Sequence, residues 1–510
     1  MTSRRPAGLV LVLVLVMIAI LAISSLGVAE RMLSERKLVQ FLGRRAQARA
    51  SAESGVEMAR QFLDRQRAAQ DAAGGWYDNP QLLRGVLVAD DDLPRDRGRF
   101  TLVAPRVRDR AAAGIRFGLE DESTRINLRT ILKKADPSAE GNAKKTLMAL
   151  PGMTDLIADA ILDWIDEDST ARPNGAEADF YSGLTPGYAP RNGPPATIEE
   201  LLLVRGVTPQ LLFGLDAARM AGGAVATRDD ALEGVDNSDE SMNHGWAAYL
   251  TLYSMESTLL ADGTPKINLN GDDLKKLYDE LEKVLNAEQA TFIVAYRQNG
   301  FQGTSQPGAK KPAAAGKLDF SKKPTATLKS VLDLVGVRTS AKFEGAKENT
   351  VLDSPFADDR SAMSDYLPKL LDNTTVSAEP AVAGRVNINQ ASRIVLAGIP
   401  GMTPDLIDQI ISKRSPDPVA ANPGRRYETW LLTEGLVPLA TMKTLLPFVT
   451  AGGSVYRVQA VGFFDGGGPT AHLEVILDAG KPPTSVLFWR DVSHLAIGYT
   501  PNVAGPEISE

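Results

Sequence analysis

Three short segments of this chain are versions of one another, and that repetition constrains the fold more than any other feature. Arg125-Ile126-Asn127-Leu128, Lys266-Ile267-Asn268-Leu269-Asn270 and Arg385-Val386-Asn387-Ile388-Asn389 share one pattern. Self-similarity of this kind marks repeated supersecondary units that bury their apolar faces on one another. The first segment leads through Leu150-Pro151-Gly152-Met153-Thr154 into an apolar-periodic helix ending near Ile165, and the third through Ile399-Pro400-Gly401-Met402-Thr403 into a helix ending near Ser412. Proline stops one helix and glycine accepts a positive φ, as a tight helix-to-helix hairpin requires. Each unit closes with a further helix and turn at 198–207, 328–337 and 428–437. The pattern predicts helix-hairpin-helix-like units over 125–215, 245–338 and 385–450. The second lacks Pro-Gly and carries a Pro/Ala/Lys/Gly-rich stretch at 303–324 that reads as a flexible loop; 339–384 reads as an irregular, charged insertion. Asn127, Asn268, Asn270, Asn387 and Asn389 are expected to cap the helices that follow them.

Strand signals flank this helical middle. Residues 98–104 and 115–119 alternate apolar and polar side chains, and so do 455–461, 472–477 and 486–489. The expected class is α+β, with first strands in 71–124 and C-terminal strands in 451–510. The strands form either two β units or one antiparallel sheet interrupted by a large helical insertion. Trp164, Trp430 and Trp489 lie in apolar periodic contexts and are expected as core anchors.

Residues 9–26 carry no charge and follow Arg4 and Arg5. About 20 such residues cross a hydrocarbon core, so 9–29 is expected to span a membrane. The basic leader places the N-terminus in the cytoplasm and the bulk of the chain outside. A secretory signal peptide cut near Ala29 is the alternative. Beyond the span, 30–70 is free of proline and rich in helix formers, including Ala46, Ala48, Ala50 and Ala52, and reads as a helical stalk.

A net charge of −7 and pI near 5.4 argue against a polyanion as main partner. The absence of cysteine excludes disulfides and thiolate metal sites. Only His244, His472 and His494 occur, none in a metal-ligand spacing or beside a nucleophile, and no phosphate loop or hydrolase elbow is present, so no enzyme is expected. Hairpins of this type can bind DNA through backbone amides, which keeps a membrane-anchored DNA receptor as the alternative function. Here the flanking residues Asp155, Asp159, Asp163, Asp405 and Asp408 are acidic and repel phosphate, making nucleic acid an unexpected partner. Asp163, Asp166, Asp168 and Glu177 together offer the hard oxygen ligands that calcium takes, with Asp163 and Asp166 on one helical face.

The leader ends in Pro6-Ala7-Gly8 directly before Leu9. That layout resembles a class III prepilin leader, which implies cleavage between Gly8 and Leu9 by a prepilin peptidase, with methylation of the new N-terminus. Most pilin-like proteins then carry a glutamate as fifth residue, and here that place holds Leu13, a departure characteristic of K-class pseudopilins. Several further segments, in fixed order, resemble the general secretion pathway protein K family, the minor pseudopilins of type II secretion. They are Asp121-Glu122-Ser123 with Ile126-Asn127, the run 159–168 (DAILDWIDED), Gly175-Ala176-Glu177, Tyr181, Arg191-Asn192 and Ile198-Glu199-Glu200-Leu201. The resemblance implies a long N-terminal transmembrane helix on a small antiparallel pseudopilin sheet, with a large helical domain inserted between strands. It also implies inner-membrane anchoring with the bulk periplasmic, calcium, and a place at the fibre tip with the I- and J-class minor pseudopilins and the major pseudopilin, initiating or capping assembly. Residues 303–384 lie outside the resemblance.

Overall fold

The computed structural model describes residues 7–108, 111–132, 139–220, 243, 245–260, 262–305 and 317–495. The leader residues 1–6, the central part of the expected loop and the last fifteen or so positions therefore lie outside the described residues.

Helix α1 spans Ala7–Leu63, 57 residues, about 85 Å at 1.5 Å per residue. Its first part is apolar and wholly exposed, with Leu13 at 63% and Ile23 at 71%, and it is long and apolar enough to cross a membrane. From Ala48 the helix changes role. Ala48, Ala52, Val56, Ala59, Phe62 and Leu63 recur at three- and four-residue steps and form a buried stripe. The stalk is shorter than the expected 30–70, because the helix stops at Leu63. The side-chain amide of Gln70, from a separate short helix at Arg67–Ala72, donates to the carbonyls of Leu63 (3.1 Å) and Arg65 (2.8 Å) there.

The stripe packs on one antiparallel sheet made of β1 (Val86–Ala89), β2 (Gly98–Arg108), β3 (Ala111–Arg116), β4 (Glu120–Asp121), β5 (Val455–Phe464), β6 (Ala471–Asp478) and β7 (Ser485–Asp491). The order is β1-β2-β5-β6-β7, with β3 on β2 and β4 on β5. Strand β5 pairs with β2 from Gln459↔Val103 to Phe464↔Gly98, so chain ends hundreds of residues apart share one sheet. The open choice between two β units and one interrupted sheet thus resolves to the latter. Phe100, Leu102, Val458, Ala460, Leu473 and Val475 alternate onto the α1 face. Trp489, expected in the core, instead sits on edge strand β7 and is 41% exposed.

The chain between β4 and β5 is an insertion, and among its described residues one apolar core runs from Ile126 to Val449. It consists of three units that open and close alike. Ile126-Asn127 pairs in parallel with Leu250-Thr251, Ile267-Asn268 with Thr374-Thr375, and Val386-Asn387 with Val449-Thr450. Each repeated motif is therefore the first half of a two-strand clasp, whose second half lies at the far end of its unit.

The helix pairs follow inside each clasp. Unit 1 has α2 (Ala139–Met148) and α3 (Asp155–Ile165), joined through Gly152 at φ 66° and capped by Thr154, whose hydroxyl accepts from the Ile157 amide at 3.3 Å. Unit 3 repeats this with Arg393–Ala397 and Pro404–Lys413, Gly401 at φ 84° and Thr403 as cap. Unit 2 has longer helices, Leu274–Val284 and Ala287–Asn299, with Asn286 as the cap in place of threonine. A further turn glycine with positive φ recurs in all three units, as Gly206, Gly336 and Gly435.

Two expectations change here. The stretch 339–384 is ordered: it contains a hairpin of Arg338–Ala341 with Thr350–Asp353, the helix Arg360–Asn373 and the closing strand of unit 2. The motif asparagines do not cap helices. Asn127, Asn268 and Asn387 each accept from the amide two residues on, at 2.9, 2.9 and 3.0 Å, fixing a turn directly after the opening strand.

Candidate functional site

The acidic cluster forms where α3 ends. Asp163 lies in its last turn, Asp166 just past it, Asp168 on the loop beyond, and Glu177 returns at the start of a short helix at Ala178–Ser182. The four do not act together. The Asp163 carboxylate is fully buried and already saturated: it accepts from the Arg172 guanidinium at 2.6 Å and from the backbone amides of Arg172 and Ala176 at 3.2 and 2.8 Å. A Cβ on Gly175 would lie 1.8 Å from one of its oxygens, so glycine there lets the loop close over it. Asp163 is thus a loop anchor and leaves the expected ligand set.

Asp166, Asp168 and Glu177 do converge, with one carboxylate oxygen from each within 4.8 Å of the others. Both Glu177 oxygens are buried without a hydrogen-bond partner, and so is one oxygen of Asp166. Burial first, then the charges of Asp163, Asp166 and Asp168, push the Glu177 carboxyl above its ordinary value. Burial also raises Asp166, although Arg172 pulls it back. Orphaned buried carboxylate oxygens cost free energy, and a hard cation would satisfy them. The residues therefore fit the calcium that the family resemblance implies. Asn192 is an addition that sequence reasoning missed as a site residue: its amide donates to the Asp168 carbonyl at 2.8 Å while its Oδ1 is buried without a partner.

A second constellation joins the insertion to the sheet. Glu122, directly after β4, is fully buried between Arg457 of β5 (2.7 Å), Arg125 (3.0 Å) and the Thr251 hydroxyl of the unit 1 clasp. Burial alone would raise its carboxyl, but the two guanidiniums prevail and hold it down to about 2. Asp121 points to unit 3 and accepts from the Asn387 amide at 2.9 Å and the Gly453 backbone at 2.7 Å. Arg490 of β7 pairs with both Glu474 and Glu199, tying unit 1 to the edge strand. Asp121-Glu122-Ser123 entered the sequence reading only as part of the family likeness, because nothing local marks its partners, which lie at 251, 387, 453 and 457.

Gly8 and Leu9 fall in the first turns of α1. Among the described residues, no histidine stands in an acidic group able to hold a metal.

The family model of the type II secretion system protein K matches residues 124–216, the stretch that contains unit 1's helices and the acidic cluster. Among curated proteins, the type II secretion system protein K of Aeromonas hydrophila is 28% identical over 242 residues, 45% of this chain and 66% of that relative, so the match spans just under two thirds of the relative's length. The crystal structure of the GspK-GspI-GspJ complex from the enterotoxigenic Escherichia coli type 2 secretion system aligns over 90% of this chain and 99% of the other, at 12% identity and a TM-score of 0.33. The chain is thus similar, over the stretch that holds its first unit, to the type II secretion system protein K family, in a fold that sets a sheet on a long apolar helix with an insertion between the strands.

Proposed function

We propose that this protein is a structural subunit of the type II secretion pseudopilus, placed at the fibre tip, where it initiates or caps assembly with the I- and J-class minor pseudopilins and meets the major pseudopilin below. The observation that carries the reading is the architecture: one anchor helix, one small sheet, and an insertion of some three hundred residues between β4 and β5. A fibre of pilin-like subunits grows by stacking anchor helices. A subunit with so much mass on its outer side is suited to an end position.

In this reading α1 holds the chain in the inner membrane with its bulk in the periplasm. The prepilin peptidase cuts between Gly8 and Leu9 and methylates the new N-terminus. Asp166, Asp168 and Glu177 hold calcium, which fixes the loop between α3 and the helix at Ala178–Ser182. The protein has no catalytic role of its own. The DNA-receptor alternative is disfavoured by the hairpin faces, where Asp155 and Asp159 flank Lys144 and Asp408 engages Arg393, so these two cations are already paired.

The test is the N-terminal mass of the protein expressed with its prepilin peptidase, beside a Gly8→Leu variant, followed by co-purification with I- and J-class subunits. Loss of residues 1–8 that depends on Gly8, together with a stable three-part complex, supports the assignment. An intact N-terminus, or cleavage near Ala29, overturns it.

A further inference from the structure

Between the expected span and the head, α1 crosses a stretch that neither covers. The span, 9–29, already fills a hydrocarbon core of about 30 Å at about 1.5 Å per residue. The head begins at Arg44, which pairs with Asp96 at 3.1 Å and donates to the Gly467 carbonyl at 3.2 Å. Residues 30–43 lie between, about 21 Å of helix, and every one of them is exposed. Six are large and apolar: Met32, Leu33, Leu38, Val39, Phe41 and Leu42 are 52% to 69% exposed.

Their placement round the helix is unlike that of the rest of α1. At about 100° per residue, Met32 and Phe41 lie on opposite sides of the axis, and so do Leu33 and Leu42, the two pairs standing roughly at right angles. From Ala48 onward, by contrast, the buried residues keep to one face. One apolar face marks a helix covered on one side, and apolar side chains on all sides mark a helix that is enclosed. The bilayer cannot enclose this one. Glu30, Arg31, Glu35, Arg36 and Lys37 share the stretch, and drawing it into hydrocarbon would take those charges with it. A second copy of this chain at the same height would set Arg36 and Lys37 against their own counterparts. A packed helix covers one face of its neighbour, so opposite apolar faces call for at least two partners.

We propose that residues 30–43 form the enclosed centre of a helix bundle just outside the membrane, touching the anchor helices of two different subunits on opposite faces. This rests on the pseudopilin reading above and adds to it where in the bundle the chain stands. The partners' chemistry follows: single-span helices, apolar on the face turned to this one, with carboxylates at the height of Arg36 and Lys37.

The experiment is photocrosslinking of the full chain, co-expressed with I- and J-class subunits and carrying a benzophenone side chain in place of Leu33 or, separately, of Leu42. Both positions should cross-link, and mass spectrometry should place the two adducts on helices of different subunits. Leu33→Asp and Leu42→Asp should each lower recovery of the three-part complex several-fold. Val351→Asp, at a 53% exposed position of the unit 2 hairpin, should leave it unchanged. The melting temperature should stay that of the wild type in the Leu33 and Leu42 variants, because both positions lie outside the head. If the unsubstituted chain recovers neither partner, the pseudopilin reading falls and this inference with it. If the complex forms but one face yields only lipid adducts, adducts to a second copy or none, or both faces reach the same subunit, the inference alone is overturned. Full recovery with both aspartate variants overturns it equally.

Discussion

The carboxylate of Asp121 and the side-chain amide of Asn387 meet at 2.9 Å, although 266 positions separate them in the sequence. Asn387 belongs to the clasp of unit 3 and Asp121 to β4, so this bond holds the last repeat against the strand from which the insertion departs. The remaining acceptor sites of Asp121 take the amides of Ser123 and Gly453, leaving the group fully buried and surrounded by donors. Asp121→Asn would turn one acceptor into a donor facing those donors. It is expected to cost about 2–3 kcal/mol, the penalty of an unsatisfied buried pair, and to lower the denaturation midpoint measurably. A midpoint unchanged from wild type would show that this junction does not hold the insertion.

Glu122 and Arg457 make a second junction of different character. Removing one partner leaves a buried charge, so Glu122→Gln or Arg457→Met alone should destabilise by roughly 3–5 kcal/mol, while the double replacement should cost clearly less than the two single ones combined. The pH dependence has a definite sign. The folded carboxyl is held down to about 2, below its unfolded value, so its contribution is complete above the ordinary carboxylate range and disappears as pH falls from there towards 2. Acid titration of unfolding should therefore show a steeper loss between about pH 4.5 and about pH 2 in the wild type than in Glu122→Gln.

The two junctions also mark how far the sequence alone reaches. The repeat is visible because Ile-Asn or Val-Asn and Pro-Gly recur locally, and the long apolar helix because its composition is uniform. The closing half of each clasp escapes notice. Thr251, Thr375 and Thr450 stand opposite Asn127, Asn268 and Asn387, and their hydroxyls accept from the amides of Tyr253, Ser377 and Gly452. A threonine is too common to signal a partner that lies 124, 107 or 63 positions away. The same limit hid the equivalence of Arg297 and Arg414. Each stands equally far beyond its helix cap and each returns to carbonyls just after the opening asparagine, Asn270 and Gly271 in unit 2, Ile388 and Ala391 in unit 3. Unit 1 has Ile165 at that place. Asp163 misled for a related reason: helical spacing puts it beside Asp166, but only the fold reveals that the Arg172 loop has already claimed its oxygens.

If Asp166, Asp168 and Glu177 bind calcium, binding must displace the protons that burial and mutual repulsion retain on Glu177 and Asp166. Affinity measured by titration calorimetry should rise with pH through the upper carboxylate range and release protons to the buffer. Calcium at about a hundred times its dissociation constant should stabilise the protein by about 2.7 kcal/mol, read as a higher melting temperature than in chelator. Glu177→Gln should remove that gain, whereas Asp163→Asn should lower stability with or without calcium, because its role is to anchor the loop. Equal melting temperatures in calcium and chelator would exclude the site.

Helix α1 packs its backbone directly against Gly462 of β5. A Cβ at this position would stand 1.9 Å from the Ala48 carbonyl oxygen and 2.8 Å from the Ala52 amide nitrogen, both backbone atoms of a helix that cannot yield without moving as a body. Gly462→Ala must therefore push α1 off the sheet, opening the core around Val56, Phe100 and Leu473, and the cost expected of such overpacking is about 1–3 kcal/mol or more. Gly467, on the turn after β5, supplies the control, since no atom lies within 4 Å of a Cβ there, although its φ of 73° makes alanine mildly strained. Thermal denaturation of the two variants should separate them, with Gly462→Ala melting well below Gly467→Ala. Equal melting would mean that helix and sheet are held apart by more than their contact at Ala48, and that the anchor helix is free to tilt on the sheet.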